Sequence, residues 1–199
     1  MIRYLASAAL TSLLSAMTPP AYSATTVTGV PNFHQVTNHI FRGGQPDARG
    51  WPELARLGVK KVIDLRRPGE HSTTAESLAV VSAGMLYVNF PMDGFATPTS
   101  EQMNVPVALM DGGEPVFIHC KRGCERTGTV VAAYRISRQG WENDHALAEA
   151  NRNGLAWWAR GMRRFIAGYH PAAEATVATA RLDEVPAIGA DSLRTEVAR

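Results

Sequence analysis

The 199-residue chain has only two cysteines, Cys120 and Cys124, four positions apart. A bridge between them would close a tiny loop and stabilise little, so a disulfide-built fold is excluded. No dense Lys/Arg run occurs, and the net charge of +2 leaves no electrostatic footprint for nucleic acid. The apolar run from Leu5 to Met17 falls short of the ~20 residues a membrane span needs. No internal repeat is visible. His34, His39, His71, His145 and His170 are scattered without metal-ligand spacing, so neither a metal nor a cofactor is expected.

What is present begins with a leader pattern. Arg3 supplies an early positive charge, the apolar run follows, and Pro19-Pro20 breaks it ahead of small residues at Ala21 and Ser23. That layout predicts a signal peptide over residues 1–23, cut after Ser23. The expectation is an exported protein, periplasmic or secreted, with no stable membrane insertion after cleavage. No cysteine stands near the cut to take a lipid. Residues 24–171 carry enough apolar sequence for one buried domain. The tail, 172–199, is rich in Ala, Glu and Asp and reads as loosely helical or disordered, with no role assigned.

Within the domain, short apolar pieces alternate with longer helical ones. "HIFRGGQP" is extended and ends at a Gly43-Gly44-x-Pro46 turn signal. "VKKVIDL", "MLYVNF" and "PVFIHC" read as strands. "ARGWPELARLG", "STTAESLAVVSAG", "RTGTVVAAYRISRQG", "WENDHALAEANRNG" and "LAWWARGMRRFIAGY" read as helices, the first two closed by Gly58 and Gly84. "PTSEQMNVPVALMDGG" is helical as well, with Pro106 expected to break or kink it. Strands and helices in this rhythm predict an α/β fold: a mainly parallel central sheet with helices on both faces.

The chemistry concentrates in "IHCKRGCERTGT", between the most apolar strand and a helix. Ligands of parallel sheets gather beyond the carboxyl ends of the strands. There a loop offers backbone N–H groups and the positive end of a helix, both suited to an anion. The same groups favour the thiolate of Cys120 and make it a nucleophile. Arg126, six residues on, can fold back and meet two phosphate oxygens with one planar guanidinium. Gly123 permits a tight backbone, and Gly128 lets the helix begin close to the strand. Thr127 brings a hydroxyl to help the thiolate leave. Lys121 and Arg122 raise the field at the mouth and suit highly charged substrates. These parts fit phosphoryl transfer through a cysteinyl-phosphate.

"HCKRGCERTG" resembles the signature loop of the cysteine-dependent protein tyrosine phosphatases, in their dual-specificity branch. "FRGGQP", "GVKKVIDLR" and "AWWARGMRRFI" extend the resemblance to the small bacterial and fungal members, over roughly Asn38 to Tyr169. The resemblance implies a dual-specificity phosphatase-like fold and hydrolysis of phosphomonoesters, with phosphorylated protein as the default substrate. It makes Cys120 the nucleophile, Arg126 the phosphate clamp and Thr127 an aid to release, with His119 tuning the thiol through hydrogen bonds. It also calls for a general acid on a loop upstream, and Asp93 in "NFPMDGFATP" is the candidate. Glu125 and the more distant Asp111 are its competitors.

Several readings stay open. Cys124 is either a small side chain in the loop wall or a partner that traps oxidised Cys120 as a disulfide. Arg66 and Arg67 either add charge near the pocket or form a surface pair, and Trp157 and Trp158 are expected in the core. An inositol polyphosphate or pyrophosphate is the alternative substrate. A phosphate-binding pseudo-enzyme and thiol redox chemistry are the rivals from other classes. The sequence does not address the oligomeric state.

Overall fold

The computed structural model describes residues 26–171; the expected signal peptide and the C-terminal tail both lie outside them. Five strands form one sheet: β1 (His34–Gln35), β2 (Ile40–Gly43), β3 (Lys61–Asp64), β4 (Leu86–Asn89) and β5 (Val116–His119). Their order is β1-β2-β5-β3-β4, parallel throughout except for β1, which runs antiparallel at the edge beside β2. The two-residue β1 was not among the strands read from the sequence, because "HQ" is too short to show any period.

Helices α1 (Gly50–Arg56), α2 (Thr73–Ser82), α3 (Ser100–Met110), α4 (Glu125–Gln139), α5 (Asn143–Arg152) and α6 (Arg160–Gly168) complete the fold. Successive strand side chains point to opposite faces. Phe41, Val62, Tyr87 and Phe117 therefore pack with Trp51, Leu54 and Val80 of α1 and α2. Ile40, Ile63, Val116 and Ile118 pack on the other face with Met103 and Met110 of α3, Val130 of α4, Ala146 of α5 and Ile166 of α6. Both faces are covered, as the alternating pattern requires.

Local chemistry sets the helix ends. Ser72 Oγ accepts from the Ala75 N–H at the start of α2, and Thr99 and Gln102 form a reciprocal capping box at the start of α3. Pro106 does not break α3, which continues to Met110. Its ring is buried beside Met103, Val107 and Met110, and that packing offsets the hydrogen bond it removes. The last helix starts later than the sequence suggests. Gly154 takes a left-handed φ of 92°, Leu155 anchors a turn in the core, and helix resumes only at Arg160. Trp157 and Trp158 consequently sit on the surface, 76% and 42% exposed, and not in the core where they were expected.

Candidate active site

β5 is the central strand, flanked by β2 and β3, and Cys120 stands at its carboxyl end with 2% of its surface exposed. The loop that follows leads into α4, whose first eleven residues, Glu125 to Arg135, are all buried. Gly123 holds a left-handed φ of 75° and passes so close to the neighbouring segment that a Cβ there would lie 2.4 Å from the Gly43 carbonyl carbon. A Cβ on Gly44 would likewise come within 3.0 Å of the Arg122 carbonyl carbon. The glycines of "FRGG" thus do more than turn the chain; they let two backbones touch. The Gln45 N–H donates to the Lys121 carbonyl at 3.1 Å and ties the segments together.

Beneath the loop lies a residue that the sequence reading missed. Arg42, 1% exposed, donates through Nη2 to the Gly123 carbonyl at 2.5 Å. Its Nε and Nη1 have no hydrogen-bond partner among the described residues. Burial pulls this guanidinium below its ordinary pKa, against the favourable pull of Glu149 and of Cys120 and Cys124. The available signal was a charge set inside the apolar "HIFRGG", next to two glycines.

The buried Arg126 side chain meets Glu70. Nη1 donates to Glu70 Oε1 at 2.8 Å and Nη2 to Oε2 at 2.9 Å, a bidentate pair. Nη1 also approaches the Leu65 and Met92 carbonyls at 3.4 Å. The hydrogen bond from Arg126 holds the Glu70 carboxyl below its usual range. Glu70 too was missed; an acid in a turn beyond the carboxyl end of a strand carries no distinctive pattern.

The other loop residues are placed as follows. Lys121 and Arg122 are exposed, and Arg122 Nη2 pairs with Oε1 of the buried Glu125. The Thr127 hydroxyl is buried without a hydrogen-bond partner among the described residues. Gly128 faces Ala150 of α5 and the Arg42 guanidinium, so the contact it allows is with α5 and Arg42. Cys124 turns to the side of the loop: its Sγ lies 3.4 Å from the Arg122 carbonyl and from Asn32 Nδ2, and against Gly154. Both cysteines are free thiols, and burial, with Glu125 beside it, pushes the Cys124 thiol up.

Asp93 is brought to the mouth by a loop that crosses Arg126: a Cβ on Gly94 would sit 4.0 Å from the Arg126 Cζ. Its Oδ1 accepts from the Phe95 and Ala96 N–H groups at 2.8 and 2.9 Å, and its Oδ2 from Arg67 Nη1 at 2.7 Å. Those backbone bonds, then Arg67 and Arg126, hold this carboxyl below its ordinary value. In the free protein Asp93 is an ionised carboxylate. Asp111 lies before β5, at the opposite end of the strand from Cys120, bound to Arg138 Nε at 2.8 Å.

Behind the loop, His119 is fully buried. Its Nδ1 lies 3.3 Å from the carbonyl of Cys120, and its ring stacks on Phe117. Its Nε2 stands 3.0 Å from Glu76 Oε1 without the alignment of a hydrogen bond. Arg66, buried, bridges Asp64 and Glu76, and His71 reaches Asp64 at 2.8 Å. Burial would raise Asp64, but hydrogen bonds from Arg66 and the nearby His119 outweigh it and leave the carboxyl low. Asp64, Glu76 and His119 are the one group among the described residues with metal-ligand proximity. The Arg66 guanidinium already supplies the charge its two carboxylates need.

The family described as "PTP-NADK: DSP-PTPase phosphatase fused to NAD+ Kinase" matches residues 24–160. The chain belongs to this family. It is 29% identical over 126 residues to the dual specificity protein phosphatase TpbA of Pseudomonas aeruginosa, covering 62% of this chain and 55% of that one. It is 31% identical over 140 residues to an inositol diphosphatase of Arabidopsis thaliana, covering 67% of each. The chain thus spans just over half the length of its Pseudomonas relative. Its fold matches the catalytic core of the PP-IP phosphatase SIW14 from S. cerevisiae with a TM-score of 0.64 and 24% identity, over 73% of this chain and 89% of that one. The crystal structure of the Pseudomonas phosphatase matches equally, with a TM-score of 0.64 and 23% identity, over 76% and 92%. The dual-specificity phosphatase-like fold expected from the signature loop is the fold this family member has.

Proposed function

We propose that this chain hydrolyses phosphomonoesters of phosphorylated protein through a cysteinyl-phosphate, as a tyrosine or dual-specificity phosphatase. One observation carries the proposal. Arg126 already grips two oxygens of a single carboxylate, the geometry it would use on two oxygens of a phosphate, at the mouth of the loop that holds Cys120.

The phosphate dianion displaces Glu70 and takes up Arg126 and the loop N–H groups at the start of α4. The Cys120 thiolate attacks phosphorus, an S–P bond forms, and the bond from phosphorus to the ester oxygen breaks. That oxygen leaves with a proton. Asp93 is the proposed donor, although the free protein holds it ionised. A dianion docked beside it is a like charge, which favours the protonated acid. In the second step Asp93, now a carboxylate, takes a proton from water as the water oxygen attacks phosphorus. The S–P bond breaks, and the Thr127 hydroxyl, without a partner among the described residues in the free protein, hydrogen-bonds the departing thiolate. Charge stabilisation comes from Arg126 and the loop, so the scheme routes no step through a metal.

The Arabidopsis and yeast relatives, named for inositol pyrophosphate chemistry, support a second reading: an inositol pyrophosphate or polyphosphate as substrate. Export is proposed on the leader pattern of Arg3, the Leu5–Met17 run and Ser23, and N-terminal sequencing of protein recovered outside the cytoplasm tests it.

The test of the main proposal is phosphate release from an aryl phosphate by the reduced protein with a chelator present, beside Cys120→Ser. Turnover by the wild type alone supports the mechanism. Equal turnover by both proteins, or none by either, refutes it.

A further inference from the structure

The loop after Cys120 is also held from outside, by a turn that precedes β1. Asn32, in that turn, is the one non-glycine residue with a positive φ among the described residues, at 49°. Asparagine tolerates the left-handed region better than most side chains, and such a backbone persists only where its surroundings fix it. Both neighbours are anchored. The Pro31 carbonyl accepts from the Gly44 N–H at 2.7 Å, and the Phe33 ring stacks on Phe41 with centroids 5.8 Å apart.

The side chain reaches two distant elements. Asn32 Nδ2 donates to the Gly123 carbonyl of the loop at 3.1 Å and to the Asn153 carbonyl, at the end of α5, at 3.1 Å. Both amide hydrogens are thereby used, and Oδ1 remains as an acceptor only. His34 Nε2 stands 2.9 Å from that oxygen and must carry the hydrogen between them. Burial, then Arg42, lowers the His34 pKa against the pull of Glu149, so the ring donates as a neutral imidazole at pH 7. The Gly123 carbonyl accepts from Arg42 as well, at 2.5 Å. A trans peptide is planar, with its C=O and the next N–H on opposite sides. The bonds from Asn32 and Arg42 draw the Gly123 carbonyl to one side and so turn the Cys124 N–H to the other. Cys124 is the N-cap of α4, where N–H groups have no helical carbonyl to bond and suit an anion.

We infer that Asn32 is a positioning residue of the phosphate-binding loop: its amide locks the Gly123 peptide to the end of α5 and keeps the Cys124 N–H aimed at a bound phosphate. The inference rests on the phosphatase reading above and adds a support outside the signature loop, 91 positions from the carbonyl it holds. Asn32 acts through that peptide and does not itself meet the substrate. His34 acts one step further out, by fixing the rotation of the amide.

The experiment measures tungstate binding by calorimetry, and kcat and KM on an aryl phosphate, for the wild type, Asn32→Gly, Asn32→Asp, His34→Ala and His34→Gln. Asn32→Gly keeps the left-handed backbone and deletes the amide; Asn32→Asp keeps the shape and sets an oxygen against two carbonyls. Tungstate binding should weaken about tenfold in both, and kcat should fall by a similar factor. His34→Ala should lose about threefold, and His34→Gln, whose amide nitrogen can stand in for Nε2, should recover it. His34 is exposed, so its two variants carry the test if an Asn32 variant folds poorly. A purely structural role would lower the melting temperature and leave the tungstate affinity and kcat of the folded protein unchanged; that result overturns the inference. Tungstate binding that depends on Asn32, without turnover by the wild type, overturns the phosphatase reading and keeps the support. No tungstate binding by the wild type overturns both.

Discussion

Arg126 and Glu70 face each other fork to fork, with nitrogen–oxygen distances of 2.8 and 2.9 Å, so the proposed phosphate clamp is occupied by the protein's own carboxylate. The arrangement pre-orients the guanidinium and also competes with substrate, because a phosphate must expel a bound anion before it binds. Glu70→Gln removes the charge and keeps the shape. We predict that it tightens binding of an oxyanion such as inorganic phosphate or tungstate by roughly three- to tenfold, read as a lower inhibition constant. Weaker binding in this variant would show that Glu70 serves mainly to hold Arg126 in place.

As the proposed general acid, Asp93 is predicted to set the pH dependence. Its carboxyl is held low by the Phe95 and Ala96 N–H groups first and by Arg67 after them. A general acid works only while protonated, so activity is lost as pH rises through its pKa in the complex. Arg67→Met removes a charge that lowers this pKa, and the basic limb of the kcat profile should move to higher pH. Asp93→Asn should cut kcat on an alkyl phosphate by roughly 100-fold or more, and by less on a nitrophenyl phosphate whose leaving group needs no proton. Profiles for both variants against wild type check this. An unmoved limb together with a fully active Asp93→Asn would pass the role to Glu125.

Arg42 is a buried cation with one acceptor among the described residues, the Gly123 carbonyl. Arg42→Met should slacken the loop and lower kcat by about ten- to 100-fold. Its melting temperature should stay level or rise, since replacing a buried charge with an apolar side chain of similar size often stabilises. A variant that keeps full activity would assign Arg42 to packing alone.

Much of this was legible in the sequence, and for definite reasons. The parallel sheet followed from near-continuous apolar strands such as "PVFIHC" separated by helical periods. Cys120 and Arg126 followed from one loop joining such a strand to a helix. The illegible parts depend on segments distant in the chain. Glu70 lies 56 positions from the arginine it binds, and Arg42 lies 81 from the carbonyl it holds. Neither partner leaves a local pattern. Trp157 and Trp158 were misplaced because bulk normally implies burial; Gly154 and the turn after it put them outside. The outward turn of Cys124 reflects the space left at Gly154, again a contact no spacing rule conveys.

The central claim is a covalent phosphoryl group on Cys120. Acid-quenching the protein during turnover of an aryl phosphate and mapping peptides by mass spectrometry tests it most directly. The account predicts one phosphoryl group on the peptide that contains Cys120, accumulating further in Asp93→Asn and absent in Cys120→Ser. Steady turnover with an unmodified Cys120 peptide, or an adduct that persists in Cys120→Ser, would contradict it.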